Sequence, residues 1–157
     1  MKNLGYEKKL YEQNLIRFEK IDKLCKGNIL NLGSSNIDKH SSLNHYLKKR
    51  HKKVYSASLT RADFIQDLNN EKWEIKGKYN TIIAGEIIEH IENPSLFLKN
   101  CHRYLKENGR LILSTPNATS LIYLKNPNWC ITNIKKIRED NPHLHTFTSG
   151  MIVNLLT

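Results

Sequence analysis

Glu86, Glu89 and His90 carry the chain's densest chemistry, in the run Ala84-Gly85-Glu86-Ile87-Ile88-Glu89-His90-Ile91. At i, i+3 and i+4 they share a face if the run is helical. An imidazole with two carboxylates can take a proton from a hydroxyl or amine, which makes His90 the candidate general base. Adding His145, from Pro142-His143-Leu144-His145-Thr146-Phe147, gives a set able to hold a divalent cation. The adopted reading needs no metal: Glu86 orients a ligand, Glu89 is solvated and His90 packs or acts as a base. Glu86, Glu89, His90 and His145 stand as the metal set otherwise.

The elements around this run fix where it sits. Thr81-Ile82-Ile83-Ala84 is a short, mostly β-branched run, expected as a strand buried on both faces of a parallel sheet. Asn93-Pro94 supplies an N-cap and a proline at the first helical position. Phe97, Leu98, Cys101, Tyr104 and Leu105 follow at helical spacing. Asn108-Gly109 is expected to end that helix, with Arg110 to Ser114 as the next strand. A crossover of this kind brings Gly85-Glu86 and Thr115-Pro116-Asn117 to one rim, where parallel sheets bind ligands. Asn117 either touches substrate there or forms a turn after a proline that stops the strand.

Upstream, Tyr11, Leu15, Phe18, Ile21 and Cys25 predict an amphipathic helix over about 6–25. Asn28 to Leu32 is the first strand, followed by the small polar turn Gly33-Ser34-Ser35-Asn36. A helix is expected over Ser41 to Lys49, a strand at Val54 to Ser58, and a weaker one at Asp63 to Gln66. Trp73 and Ile75 fall in a polar connection or broken helix. Past Asn117, Trp129, Ile131, Ile134 and Ile137 suggest a packed segment, and Thr148 caps a helix carrying Met151, Ile152, Leu155 and Leu156.

A chain of 157 residues is about one domain's worth. The expected organisation is a single domain over 1–157: helix 1–27, core 28–117, and a substrate-side segment with a truncated helix over 118–157. Net charge is +10, and residues 1–53 hold 13 Lys/Arg against 5 Asp/Glu. The cluster Lys48 to Lys53 is read first as a solvated helix end, with a phosphate-, nucleic-acid- or membrane-attracting patch as the second reading. No aromatic residues interleave it as a base-stacking platform would require. Three unpaired-looking cysteines, Cys25, Cys101 and Cys130, fit a reducing, cytoplasmic setting. No run approaches bilayer-spanning length, so no membrane span is expected. His40, His45, His51 and His102 read as surface or packing residues.

The order of elements, with Ala84 to Ile91, Asn93-Pro94, Arg103 to Lys106, Gly109 to Leu111 and Ser114 to Asn117, resembles the class I S-adenosylmethionine-dependent methyltransferases. The resemblance implies an α/β, three-layer αβα Rossmann-like fold on a mostly parallel sheet, here expected without the family's last two strands. It implies S-adenosyl-L-methionine as cofactor, held by Asn31, Gly33, Ser34, Ser35, Asp67, Leu68, Ala84 and Glu86. The Glu-Glu-His part looks like that of the ubiquinone-pathway O-methyltransferases, and the addition of His145 like the small-RNA 2′-O-methyltransferases. Two departures stand out. The first turn keeps one glycine and replaces the usual acid with Asn31, and the second strand ends in Ser56-Ala57-Ser58 where a ribose-binding acid is usual.

The implied activity is methyl transfer to an oxygen or nitrogen acceptor: a glycan, a small metabolite or a nucleic acid, with the basic first third tilting toward something phosphorylated. The alternative is an inactive methyltransferase-like scaffold or partner subunit. A sheet edge at Leu111 to Ser114 lacking its neighbours would call for self-association or a partner to cover it.

Overall fold

The computed structural model describes residues 4–34, 42–119 and 143–156, with side chains from Asn14 onward. The elements run α1 (Leu4–Leu24), β1 (Ile29–Leu32), α2 (Leu43–Lys48), β2 (Val54–Ser58), β3 (Phe64–Ile65), β4 (Tyr79–Gly85), a 3₁₀ turn (Ile88–His90), α3 (Pro94–Tyr104), β5 (Leu105–Ser114) and α4 (Ser149–Leu156). The strands form one sheet in the order β3-β2-β1-β4-β5 with every pairing parallel. β1 is central, with Leu30 beside Tyr55 on one side and Ile82 on the other.

Alternation along the strands separates two apolar layers. Ile29, Val54 and Ile83 pack with Phe18 and Ile21 of α1 and Leu43 and Leu47 of α2. Leu30, Leu32, Ile82 and Ala84 pack with Phe97 and Cys101 of α3, and Ile152 and Leu155 of α4 close that side. Helices thus cover both faces, giving the three-layer arrangement that the sequence leads one to expect.

The local signals act as their chemistry requires. Asn93 accepts from the Leu96 N–H at 3.0 Å, with Pro94 opening α3. Ser42 caps α2, and the Thr148 hydroxyl accepts from the Met151 N–H at 3.2 Å. Trp73 and Ile75 are core residues on irregular backbone, 2% and 6% exposed, and the Trp73 indole donates to the Leu68 carbonyl at 3.3 Å.

Two expectations are corrected. α3 ends at Tyr104 and not at Asn108-Gly109, because Leu105 already pairs with Tyr79 as the first residue of β5. The Asn108 turn, at φ +58°, is instead an irregularity inside β5, between the Tyr79 and Thr81 pairings. The run after β4 is not a helix either: Glu86 takes φ +53°, and only Ile88 to His90 coil, as one 3₁₀ turn. The expected segment from Trp129 to Ile137 lies outside the described residues, as do His40 and Cys130. β5 and β3 are the two edges of the described sheet.

Candidate active site

All five strands run the same way, so their carboxyl ends make one rim, and the turns leaving β1, β2 and β4 meet there. Gly33 leaves β1 at φ +70°, and a β-carbon on it would lie 2.6 Å from Ile87 Cδ1. Glycine adopts this positive φ without strain, and any β-carbon here would also have to displace the end of the Ile87 side chain. Gly33 is also a shared wall between two cavities.

The first cavity, about 200 Å³, is lined by Arg17, Asn31, Gly33, Ser34 and Gly85 among others. Asn31 is 2% exposed, and its Nδ2 has no hydrogen-bond partner among the described residues. The same holds for the buried Nε of Arg17. Two orphaned donors against one cavity ask for an oxygen-bearing ligand. The second cavity, about 210 Å³, is lined by Gly33, Ser58, Asp67, Leu68, Ile87 and His90 with their neighbours. Asp67 steadies its own turn by accepting from the Asn69 N–H at 2.9 Å.

The cofactor residues expected from the sequence therefore divide. Asn31, Gly33 and Ser34 line one cavity, while Asp67 and Leu68 line the other. Ala84 is fully buried between Leu32 and Leu113, so Gly85 takes its place on the cavity wall. Glu86 is turned toward β5 and α1, accepting from Ser114 Oγ at 2.8 Å and lying 3.6 Å from Arg17 Nη1. Ser35 lies outside the described residues. Asp63 does not stand in for the missing acid of β2. Its carboxylate accepts from the Ser56 N–H and Oγ, both at 2.8 Å, and from Lys48 Nζ at 3.3 Å. Burial pushes that carboxyl up, but the Ser56 bonds and the Lys48 ammonium outweigh it and hold it below its ordinary value.

Arg17 is the residue that sequence reasoning missed. The signal was present, since Asn14, Arg17, Phe18 and Ile21 share the inward stripe of α1 at helical spacing.

The acidic turn is organised around Glu89, which is 1% exposed rather than solvated. Its Oε2 accepts from Thr115 Oγ1 at 3.0 Å, and its backbone carbonyl accepts from the Leu144 and His145 N–H groups at 2.7 and 3.1 Å. The 143–148 strand of chain is tied down again where Asn117 bridges Phe147 and the Ala118 N–H donates to the Phe147 carbonyl at 2.9 Å. This brings the His143 ring to 4.9 Å from that of His90, edge on. Glu89, His90 and His143 each offer a ligand atom within 4.8 Å of the others. The structure thus assembles Glu89 and His90 with His143, while Glu86 faces Ser114 and Arg17 and His145 packs against Phe147 at 5.8 Å. Glu86 falls outside because its positive φ breaks the helical spacing on which the four-residue set depended.

Comparison with known proteins bears on this arrangement. A family model described as a methyltransferase domain matches residues 11–157. The chain belongs to the class I S-adenosylmethionine-dependent methyltransferases. The ubiquinone biosynthesis O-methyltransferase of Rickettsia typhi is 40% identical over 60 residues, 38% of this chain and 22% of the relative. That of Rickettsia akari is 28% identical over 127 residues, 72% of this chain and 46% of the relative. The chain spans less than half the length of these curated relatives. Magnesium protoporphyrin IX methyltransferase from Synechocystis, solved with bound SAH, superposes at TM-score 0.60 and 17% identity, covering 96% of this chain and 71% of its own. The methyltransferase fold is therefore shared well beyond recognisable sequence identity.

Proposed function

We propose that this methyltransferase domain moves a methyl group from S-adenosylmethionine to an oxygen or nitrogen acceptor. The observation that carries the reading is the pair of cavities joined at Gly33, one with two orphaned buried donors and the other with a carboxylate. The residues fit the cofactor. Asn31 and Arg17 would donate to its carboxylate, Gly33 would admit its backbone-hugging middle, and Asp67 would accept from its exocyclic amine. Ser58 would offer one ribose hydrogen bond where the family's acid offers two. Bound there, S-adenosylmethionine supplies a methyl group on a sulfonium, which an acceptor lone pair can take without a covalent enzyme intermediate. Alignment of the partners supplies roughly 7–11 kcal/mol in such reactions.

His90 is the residue assigned to the acceptor's proton. It lines the cofactor cavity and stands beside the buried side chain of Glu89.

The acceptor side is a third cavity of about 410 Å³ past the end of β5, lined by Leu113, Pro116, Phe147, Ile152 and Val153 with Ser114, Thr115 and Asn117 at its polar side. No lysine or arginine lines it among the described residues, so an acceptor with an apolar body fits better than a phosphorylated one, a glycan or a nucleic acid. The relatives named for ubiquinone biosynthesis support a small-molecule acceptor. The free thiols of Cys25 and Cys101 support a reducing, cytoplasmic setting, and no helix among the described residues is long and apolar enough to cross a membrane.

Calorimetric titration with S-adenosylhomocysteine tests the reading: saturable heat is expected, and silence up to about 1 mM with folded protein overturns it in favour of a non-catalytic scaffold. The ribose position makes that rival specific, since Asp63 is occupied by Ser56 and Lys48.

A second reading adds a divalent cation at Glu89, His90 and His143, favoured by the buried Glu89 Oε1, which has no hydrogen-bond partner among the described residues. Chelator-sensitive turnover that is also lost in Glu89→Ala and His143→Ala supports it. Turnover unaffected by chelator removes it.

A further inference from the structure

The charge of this chain is polarised across the sheet. In a parallel sheet every strand begins on the same rim, opposite the candidate active site. Lys53 immediately precedes β2, Lys78 immediately precedes β4, and Lys106 and Arg110 flank the irregularity of β5 beside the start of β4, where Leu105 pairs with Tyr79 and Arg110 with Thr81. Lys26 leads into β1, and its Nζ donates to the Asn108 carbonyl at 2.9 Å. Arg110 donates to the Leu24 carbonyl at 3.1 Å, and Lys106 Nζ to Asn80 Oδ1 at 3.3 Å. These bonds go to neutral acceptors, and the exposed Glu107 between Lys106 and Arg110 is one carboxylate against Lys26, Lys53, Lys78, Lys106 and Arg110, so the rim keeps a positive excess. Asp22, the carboxylate nearest this rim on α1, is already taken by His51 at 2.6 Å and Arg50 at 3.6 Å. Asp67, Glu86, Glu89 and Glu92 gather at the other end of the strands.

We propose that the amino-terminal rim of the sheet is a docking surface for an anionic lipid bilayer. Charge complementarity makes the case for an anionic partner, because lysines near a membrane surface of negative potential each add to the attraction. Two features favour lipid over nucleic acid. Leu24, 48% exposed, sits among these cations, and a bilayer interface can take up an aliphatic side chain that a phosphate backbone cannot use. Of the aromatic residues beside these cations, Tyr79 is 3% exposed and Tyr55 packs its ring against Phe64 and Tyr79, so they do not form an open platform for stacking bases. The cations are also mostly lysines, point charges that suit a diffuse headgroup layer better than bidentate phosphate recognition. Docked this way, the candidate active site faces the aqueous side.

The experiment is co-sedimentation of the full chain with vesicles of phosphatidylcholine alone or with about one third phosphatidylserine. Binding to the anionic vesicles at low salt is expected, with release at about 0.5 M salt and none to neutral vesicles. Lys52→Gln/Lys53→Gln/Lys78→Gln together should lower partitioning by at least about tenfold, and Leu24→Ser by a smaller factor. Arg61→Gln/Lys99→Gln, away from this rim, should leave it unchanged. All these positions are exposed, and circular dichroism verifies that each variant folds. Equal binding to neutral vesicles, wild-type partitioning by the triple lysine variant, or capture of duplex RNA with no vesicle binding would overturn the proposal.

Discussion

Thr115 Oγ1 donates to Glu89 Oε2 at 3.0 Å, joining the end of β5 to the turn after β4 inside a pocket from which Glu89 is almost wholly withdrawn from water. The same residue holds Leu144 and His145 through its carbonyl. Glu89 is thus the junction of three chain segments that converge on the rim.

Thr115→Val keeps the side chain's shape and removes that donor, leaving a buried carboxylate with neither oxygen hydrogen-bonded among the described residues. A loss of about 1–3 kcal/mol is expected, read by urea denaturation. Turnover should fall as well. A Thr115→Ser variant restores the donor and should recover most of both.

Arg17 offers its guanidinium to the cavity from α1 and lies 3.6 Å from Glu86. Arg17→Ala should weaken S-adenosylhomocysteine binding by about tenfold or more, the usual scale for a charge-assisted hydrogen bond. Because Arg17 is partly exposed, thermal unfolding should change little. A large drop in stability with unchanged affinity would assign it to packing.

Much of the fold was legible because its signals are local. Asn93-Pro94 opens α3, Val54 to Ser58 is β2, and Thr148 caps α4, each as its residue types dictate. What could not be read depended on partners distant in sequence. Leu105 looks like the next turn of α3 and becomes strand only because Tyr79 pairs with it. Glu89 looks solvated until Thr115 and the 143–148 segment fold over it. Glu86 looks like a member of a helical face until the end of β4 forces a left-handed backbone, and the site loses one expected carboxylate and gains His143.

Gly33→Ala tests the floor of both cavities at once. The new methyl would meet Ile87 Cδ1 at 2.6 Å, and the backbone would keep a positive φ that alanine resists. Strain of this kind costs about 1–3 kcal/mol. Lower stability and loss of the calorimetric signal for S-adenosylhomocysteine are both expected. Retained affinity would mean that the cofactor does not pass over this turn.

Asp63 yields a prediction in pH. Its folded carboxyl is held below the ordinary value of 3.8 by Ser56 and Lys48, against the opposing effect of burial. A group whose pKa is depressed by folding binds its proton more readily in the unfolded chain. Its contribution is therefore fully present above the unfolded value and disappears as pH falls through the lower, folded one. Asp63→Asn should be less stable than wild type at pH 7, where the carboxylate accepts three hydrogen bonds that the neutral amide cannot match. The gap should narrow steadily below about pH 4, as the unfolded wild-type chain begins to take up the proton. Urea denaturation of both proteins across that range measures it, and a gap independent of pH would mean that Asp63 acts by shape rather than charge.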